Sequence, residues 1–236
     1  IPGYPYWRGL YPITEWSQWM VRYQDNSLRI PSEQTDRLCE AARQAHCFCV
    51  IGCSERSGRP GSETLYNTIV FINEEGTLVG VHRKLMPTHG ERMVWGMGDG
   101  SDLQVFDTSL GRLGGLVCYE HHMTLLKATL QSLGEEIHCA LWAGWWVMDG
   151  HPGAKRRWQP GDSTDLCDVA YANREYAFET QNFVVSAGNY SPTAELPPEC
   201  HAWNIGSGGS MILNPAGQYL AGPALDHEEI LSAELR

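Results

Sequence analysis

The 236-residue sequence lacks any uninterrupted apolar run long enough to cross a bilayer. Positive charge is also scarce, because 17 Lys and Arg side chains stand against 28 Asp and Glu, which gives a net charge of −11. An acidic surface gains no counterion release on phosphate backbones or anionic lipid, so neither nucleic acid nor a membrane is an expected partner. With 42% apolar residues, the chain is instead expected to bury the core of a soluble globular protein.

The sequence also has no secretory signal and no metal-binding cysteine pattern. Three of its eight cysteines lie in the run 47–53, but no second ligand cluster at zinc spacing follows, and the run alternates like a buried strand. The glycine-rich stretch 96–102 has no phosphate-binding lysine, and we expect a tight loop there. These absences predict a reduced, cytoplasmic protein without a metal or another cofactor.

Hydrophobic periodicity predicts an α/β layered sandwich in a single domain, residues 1–236. No linker, repeat or low-complexity tract divides the chain. Residues 73–76 have the turn chemistry of a hairpin, and 109–112 and 214–217 resemble them, so some strands are expected to pair antiparallel. Helices are predicted at about 14–23, 32–45, 123–133 and 164–181, and strands at 47–53, 64–72, 77–81, 137–142, 183–187, 208–213 and 230–235.

The thiol of Cys118 lies where an apolar strand gives way to polar, helix-compatible sequence. The N–H groups of a following helix lower the pKa of a thiol at such a corner, so Cys118 is a candidate nucleophile. The alternative is a buried structural cysteine. Glu120 and His121 are expensive to bury at a strand end, which favours a polar cleft, and Glu120 is expected to line it.

A lysine and a glutamate, Lys84 and Glu91, follow the strand predicted at 77–81 and are separated by 91 − 84 = 7 positions. A lysine at a strand end can stabilise a developing anion and support a nearby thiolate, and a carboxylate can hold the lysine in place. Each residue taken singly also fits an exposed surface charge.

Two further clusters of side chains have more than one interpretation. Trp142, Trp145 and Trp146 at a strand end fit either an aromatic wall for an apolar substrate or packing in a core or subunit interface. A cysteine–histidine hydrolase is disfavoured because His121 and His122 adjoin the cysteine, and neighbouring side chains rarely face each other.

Four segments of the chain jointly resemble the nitrilase branch of the carbon–nitrogen hydrolase superfamily. They are IPGYPYW at 1–7, HRKLMPTHGERMVWGMGDGSD at 82–102, GRLGGLVCYEHHM at 111–123 and GGSMILNPAGQYLAGP at 208–223. With the predicted strand order, the resemblance covers nearly the whole chain. It implies a four-layer α-β-β-α sandwich that pairs with a second copy through helices, as a homo-oligomer that is a dimer or a larger, spiral assembly.

The resemblance also implies a reaction and its residues. Cys118 would be the nucleophile, Lys84 the electrostatic partner and Glu91 the supporting carboxylate. The implied reaction converts a small organic nitrile through a thioimidate and a thioester to a carboxylic acid and ammonia, without a metal or another cofactor. The predicted substrate-binding residues are Tyr119, Glu120, Trp142 and Trp145.

In the family pattern, the general-base glutamate precedes the segment at 1–7. That base, the first strand and helix, and a C-terminal tail are therefore expected outside this sequence, and the 236 residues alone are expected to be poorly soluble and inactive on nitriles. Two alternatives stay open: an amidase or carbamoylase that uses the same triad on an amide, and a non-catalytic assembly or binding protein.

Overall fold

The computed structural model describes residues 5, 11–144, 147–148, 155–156, 159–163, 167–198, 201 and 206–236. The chain divides into two compact units, Ile1–Gln104 and Val105–Arg236. That both belong to one domain stays a prediction. Within the described ranges, no helix is both long enough and apolar enough to cross a membrane.

The described residues of the first unit include two α-helices and an antiparallel sheet with the strand order β1-β2-β3. Its elements are α1 Ile13–Asp25, α2 Glu33–Ala45, β1 Cys49–Arg56, β2 Leu65–Ile72 and β3 Leu78–Arg83. The predicted hairpin joins β2 to β3, and the side-chain oxygen of Asn73 accepts a 2.7 Å hydrogen bond from the backbone N–H of Thr77 across the turn.

Apolar side chains pack the helices of this unit against its sheet. Ala42 of α2 lies in one buried cluster with Val70 and Ile72 of β2. A second cluster contains Leu65 of β2 together with Val94 and Trp95, and Met20 and Tyr23 of α1 pack against it. The central strand β2 is almost fully buried, which provides a rigid frame for the loop that follows β3.

The second unit is built on a six-stranded mixed sheet with the order β11-β10-β9-β6-β5-β4. Strands β5, β6 and β9 are parallel, so their carboxyl ends meet at one edge of the sheet, which is where α/β folds place functional groups. The sheet strands are β4 Phe106–Thr108, β5 Gly111–Val117, β6 Ile137–Trp142, β9 Phe183–Gly188, β10 Gly208–Leu213 and β11 Tyr219–Leu225. This unit also contains the helices α3 Thr124–Ser132 and α4 Asp168–Thr180 and the short pair β7 Val147–Met148 and β8 Lys155–Arg156.

Two of the predicted strands need correction. The strand predicted at 230–235 is wrong: these residues are in no strand, and Ile230 is 97% exposed. Apolar alternation indicates only which face a strand would bury and does not supply a pairing partner, and the sheet ends at β11 without this segment. The strand predicted at 47–53 begins two residues later, because the backbone N–H of Cys47 still bonds to the carbonyl of Ala42 and closes α2.

Candidate active site

Lys84, in the first unit, is the residue directly after β3, and its side chain is held by an ion pair. Its Nζ donates to Oε2 of Glu91 at 2.7 Å and to Oγ1 of Thr88 at 3.2 Å. Lys84 is 0% exposed and Glu91 2%, so neither is the solvated surface charge that was left open. Two buried charges satisfy each other here, and removal of one partner would leave the other uncompensated.

The loop around this pair is fixed through its backbone. Glu91 lies in the short 3₁₀ turn His89–Met93, and its Oε2 also accepts from the backbone N–H of Thr88 at 2.6 Å. The carbonyl of Lys84 accepts from the backbone N–H of Gly98 at 3.0 Å. A Cβ at Gly98 would overlap the carbonyl oxygen of Arg83, so only glycine allows this approach. The glycine-rich stretch is the tight loop that was predicted.

The carboxyl end of β3 is anchored to its own sheet by Arg83. The Arg83 guanidinium donates to both carboxylate oxygens of Glu55, at 2.5 and 2.8 Å, and it lies 4.7 Å from the ring centre of Tyr66. The hydroxyl of Thr68 donates to the same carboxylate at 2.9 Å. Bidentate pairing limits the movement of the strand end from which Lys84 extends.

Cys118, in the second unit, follows β5 and begins the 3₁₀ turn Cys118–His122. The predicted strand-end corner is therefore present, and the thiol is buried. The backbone of Cys118 has a φ of +53°, in the left-handed region, which costs a residue other than glycine about 1–2 kcal/mol. Such strain, where a strand turns into a helix, is typical of a position that presents a nucleophile.

Two buried side chains fix the turn that holds Cys118. Oε2 of Glu120 accepts from the backbone N–H of Val117 at 2.8 Å, and Nδ1 of His121 donates to the carbonyl oxygen of Cys118 at 2.6 Å. His121 therefore binds the backbone of the cysteine, which argues against the thiol–imidazole pair of a cysteine–histidine hydrolase.

The predicted aromatic substrate contacts occupy different environments. Tyr119 is 46% exposed, and its ring lies 4.7 Å from that of His122. Trp142 is buried, and its Nε1 donates to Oδ1 of Asn173 at 3.1 Å, which is the packing alternative left open above. A part for Trp142 in substrate binding stays a prediction, and Trp145 lies outside the described residues.

Three functional candidates escaped the sequence analysis: Thr88, Glu135 and His138. Thr88 reaches the lysine, and the other two lie in a buried polar network behind the cysteine. The signal that points to them is a polar, ionisable side chain inside the fully buried strand β6, His138, and another two residues before that strand, Glu135. Within the part of the chain that the structure describes, no group of three or more His, Cys, Asp and Glu side chains is arranged to hold a metal ion.

Comparison with known proteins identifies the family. The model of the carbon–nitrogen hydrolase family matches residues 1–236. An aliphatic nitrilase of Rhodococcus rhodochrous is 40% identical over 100% of this chain and 63% of its own length. A bifunctional nitrilase/nitrile hydratase of Nicotiana tabacum is 34% identical over 91% of this chain and 58% of its own length. The chain thus spans less than two thirds of these relatives.

A solved carbon–nitrogen hydrolase from Helicobacter pylori G27 superimposes with a TM-score of 0.66 at 21% identity, over 86% of this chain and 67% of that one. This likeness confirms the predicted nitrilase-like α/β sandwich as the fold class. The chain belongs to the carbon–nitrogen hydrolase family.

Proposed function

We propose that this chain carries a site that hydrolyses organic nitriles to carboxylic acids and ammonia, with Cys118 as the nucleophile. One observation carries the proposal: the buried thiol lies on a strained strand-end turn in a chain that is 40% identical to an aliphatic nitrilase. The buried Lys84–Glu91 pair supplies an ammonium group, which the reaction needs to stabilise developing negative charge. Homo-oligomerisation and a cytoplasmic location stay predictions.

The reaction balances as one nitrile and two waters giving one carboxylic acid and one ammonia. Sγ of Cys118 adds to the nitrile carbon, and the nitrogen takes up a proton to form a thioimidate. The first water then adds, ammonia leaves and a thioester remains. The second water cleaves the thioester, which releases the acid and restores the thiol.

We assign Lys84 and Glu91 electrostatic roles in this sequence. The Lys84 ammonium would stabilise the negative charge that develops on the nitrile nitrogen, and Glu91 would hold the ammonium in place through its 2.7 Å ion pair. That Lys84 and Cys118 act on one substrate comes from the family resemblance. A glutamate as the general base is implied by the family resemblance alone and stays a prediction.

Ammonia release tests the proposal. The chain is expressed as given and in the full reading frame that encodes it, and each protein is supplied with a short aliphatic nitrile and with phenylacetonitrile. In the full reading frame, ammonia and acid should form in equal amounts, and mass spectrometry of quenched protein should find a substrate-derived adduct on the peptide that contains Cys118. The 236 residues alone were predicted to be inactive, so they serve as the comparison. Turnover of the matching amides but not of the nitriles would instead support the amidase alternative.

Glu120 is predicted to control the ratio of acid to amide among the products. The tetrahedral adduct can expel ammonia or expel the cysteine, and a buried carboxylate two residues past the nucleophile biases that choice through its charge. The Nicotiana tabacum relative is named a bifunctional nitrilase/nitrile hydratase, which supports the proposal that both products can form. We expect Glu120→Gln, whose amide oxygen can still accept from the Val117 N–H, to change the ratio severalfold. Chromatography measures both products, and an unchanged ratio at an unchanged rate would exclude Glu120 from the site.

A further inference from the structure

A series of buried polar side chains, joined by hydrogen bonds, extends from the carbonyl oxygen of Cys118 into the core of the second unit. His121 donates to this oxygen through Nδ1 at 2.6 Å, and its Nε2 lies 3.0 Å from Nε2 of His138. The opposite ring nitrogen of His138, Nδ1, lies 2.8 Å from Oε1 of Glu135. All three side chains are buried, and the nitrile chemistry described above uses none of them.

The hydrogen bonds of these three side chains determine how many ring and carboxyl protons they carry together. A carbonyl oxygen only accepts, so Nδ1 of His121 carries a proton. The contact between the two imidazoles needs one proton, and the contact between His138 and Glu135 needs another. Two neutral imidazoles supply two protons, and the third balances the charge of the carboxylate. The three residues together therefore carry no net charge, which lowers the cost of burying them.

Two hydrogen-bond donors bind Glu135 at the end of this series that lies away from Cys118. The hydroxyl of Tyr176 and the side-chain amide of Asn182 both donate to Oε2 of Glu135, at 2.6 and 3.1 Å. Burial, followed by the Glu135 charge, raises the pKa of Tyr176, so this hydroxyl keeps its proton and remains a donor. Both donors bind Oε2, and the other carboxylate oxygen, Oε1, faces His138. A Cβ at Gly114 would overlap Oε1, so β5 leaves room for the carboxylate only at a glycine.

Stacked rings hold both imidazoles at fixed angles. His121 stacks on Trp142 with 4.7 Å between ring centres and 25° between planes. His138 stacks on Tyr176 at 3.8 Å and 25°. Neither imidazole can rotate without losing a stacked neighbour as well as its hydrogen bonds. The two rings therefore form a rigid connection between α4 and the turn that holds Cys118.

We infer that Glu135, His138 and His121 form a positioning network, which holds the Cys118 carbonyl and thereby keeps the left-handed turn in the orientation that presents the thiol. This inference rests on the proposed function of Cys118. The backbone strain at Cys118 needs an opposing constraint, and the hydrogen bond from His121 lies on the residue that is strained. The network acts through geometry and touches no substrate.

Two substitutions separate this role from general stability. His121→Phe keeps a ring on Trp142 but loses both hydrogen bonds of the imidazole. Glu135→Gln keeps every hydrogen bond, since its amide NH₂ can donate to His138 while its oxygen accepts from Tyr176 and Asn182. We expect kcat for nitrile hydrolysis to fall about a hundredfold in His121→Phe with KM nearly unchanged, and to stay within about threefold in Glu135→Gln.

NMR spectroscopy can detect the hydrogen bond from His121 to the Cys118 carbonyl without a measurement of turnover. Residues 118 and 119 are the only Cys–Tyr step in the sequence, so labelling Cys with ¹³C at the carbonyl and Tyr with ¹⁵N gives one cross-peak for the Cys118 carbonyl. This carbonyl signal should move upfield in His121→Phe, because its hydrogen bond is lost, and should stay in place in Glu135→Gln.

The outcomes separate the two proposals. An unmoved carbonyl signal in folded His121→Phe, or a kcat within about threefold of the parent, would overturn the positioning network. Loss of activity in Glu135→Gln equal to that in Glu135→Ala would also overturn it, because the charge of the carboxylate rather than the geometry would then matter. Parental ammonia release by Cys118→Ala would instead refute the proposed function and leave the carbonyl measurement valid.

Discussion

Replacing Cys118 with Ala or Ser is expected to abolish ammonia release from nitriles while the protein stays folded. Every covalent intermediate of the proposed reaction is attached to this sulfur, and a serine hydroxyl is a much weaker nucleophile than a thiolate. The loss should reach the detection limit, at about four orders of magnitude or more. Ammonia release in the full reading frame measures the effect, and circular dichroism checks the fold.

Two other cysteines serve as matched controls for this experiment. Cys139 on β6 is buried like Cys118, and burial, with a smaller effect of the nearby Glu135 charge, raises its pKa to about 12, so it stays an unreactive thiol. Cys47 is exposed. Cys139→Ala and Cys47→Ser should therefore retain turnover. A Cys118→Ala protein that hydrolyses nitriles near the parental rate would show that the nucleophile lies elsewhere.

Lys84→Ala is expected to lower the rate of the chemical step by at least about a hundredfold, the usual loss for one donor to a developing anion. The substitution also leaves Glu91 buried without its cation, which destabilises a protein by about 3–5 kcal/mol. Rapid-quench measurement of thioimidate formation, corrected for the folded fraction, separates the two effects.

A double substitution isolates the charge of Lys84 from its contribution to folding. Lys84→Gln combined with Glu91→Gln replaces the ion pair by neutral amides and should restore much of the stability without restoring turnover. The exposed pair Arg43–Glu40 provides the control, because Arg43→Gln should change neither stability nor rate appreciably. Unchanged turnover in Lys84→Gln would return the lysine to a structural role.

Local sequence patterns predicted the parts of the fold that local interactions form. Ser32 was predicted to begin a helix, and its hydroxyl accepts from the backbone N–H of Thr35 at the start of α2. The turn at 73–76 predicted a hairpin, and β2 and β3 pair across it. These features depend on residues only a few positions apart, so the sequence alone contains the information.

Local sequence patterns could not predict which strands pair when the strands are far apart in the sequence. The residues at 230–235 have the pattern of a strand, yet they are not among the paired strands of the sheet, which ends at β11. Alternation reports a preferred backbone conformation, while a strand also needs a partner. The same limit explains why the sequence did not reveal the hydrogen bond between Trp142 and Asn173, which lies 31 residues away.

The sequence by itself determined the chemistry that is available: a thiol at a strand end, a lysine after another, and a glutamate seven residues beyond the lysine. Only the tertiary structure decided the environment of these groups. It buried Lys84 and Glu91 together, bent the backbone at Cys118 into the left-handed region, and brought His121 to His138 across 17 positions. Residue types and short spacings are written in the chain, whereas burial and long-range hydrogen bonds arise only when distant segments pack and exclude water.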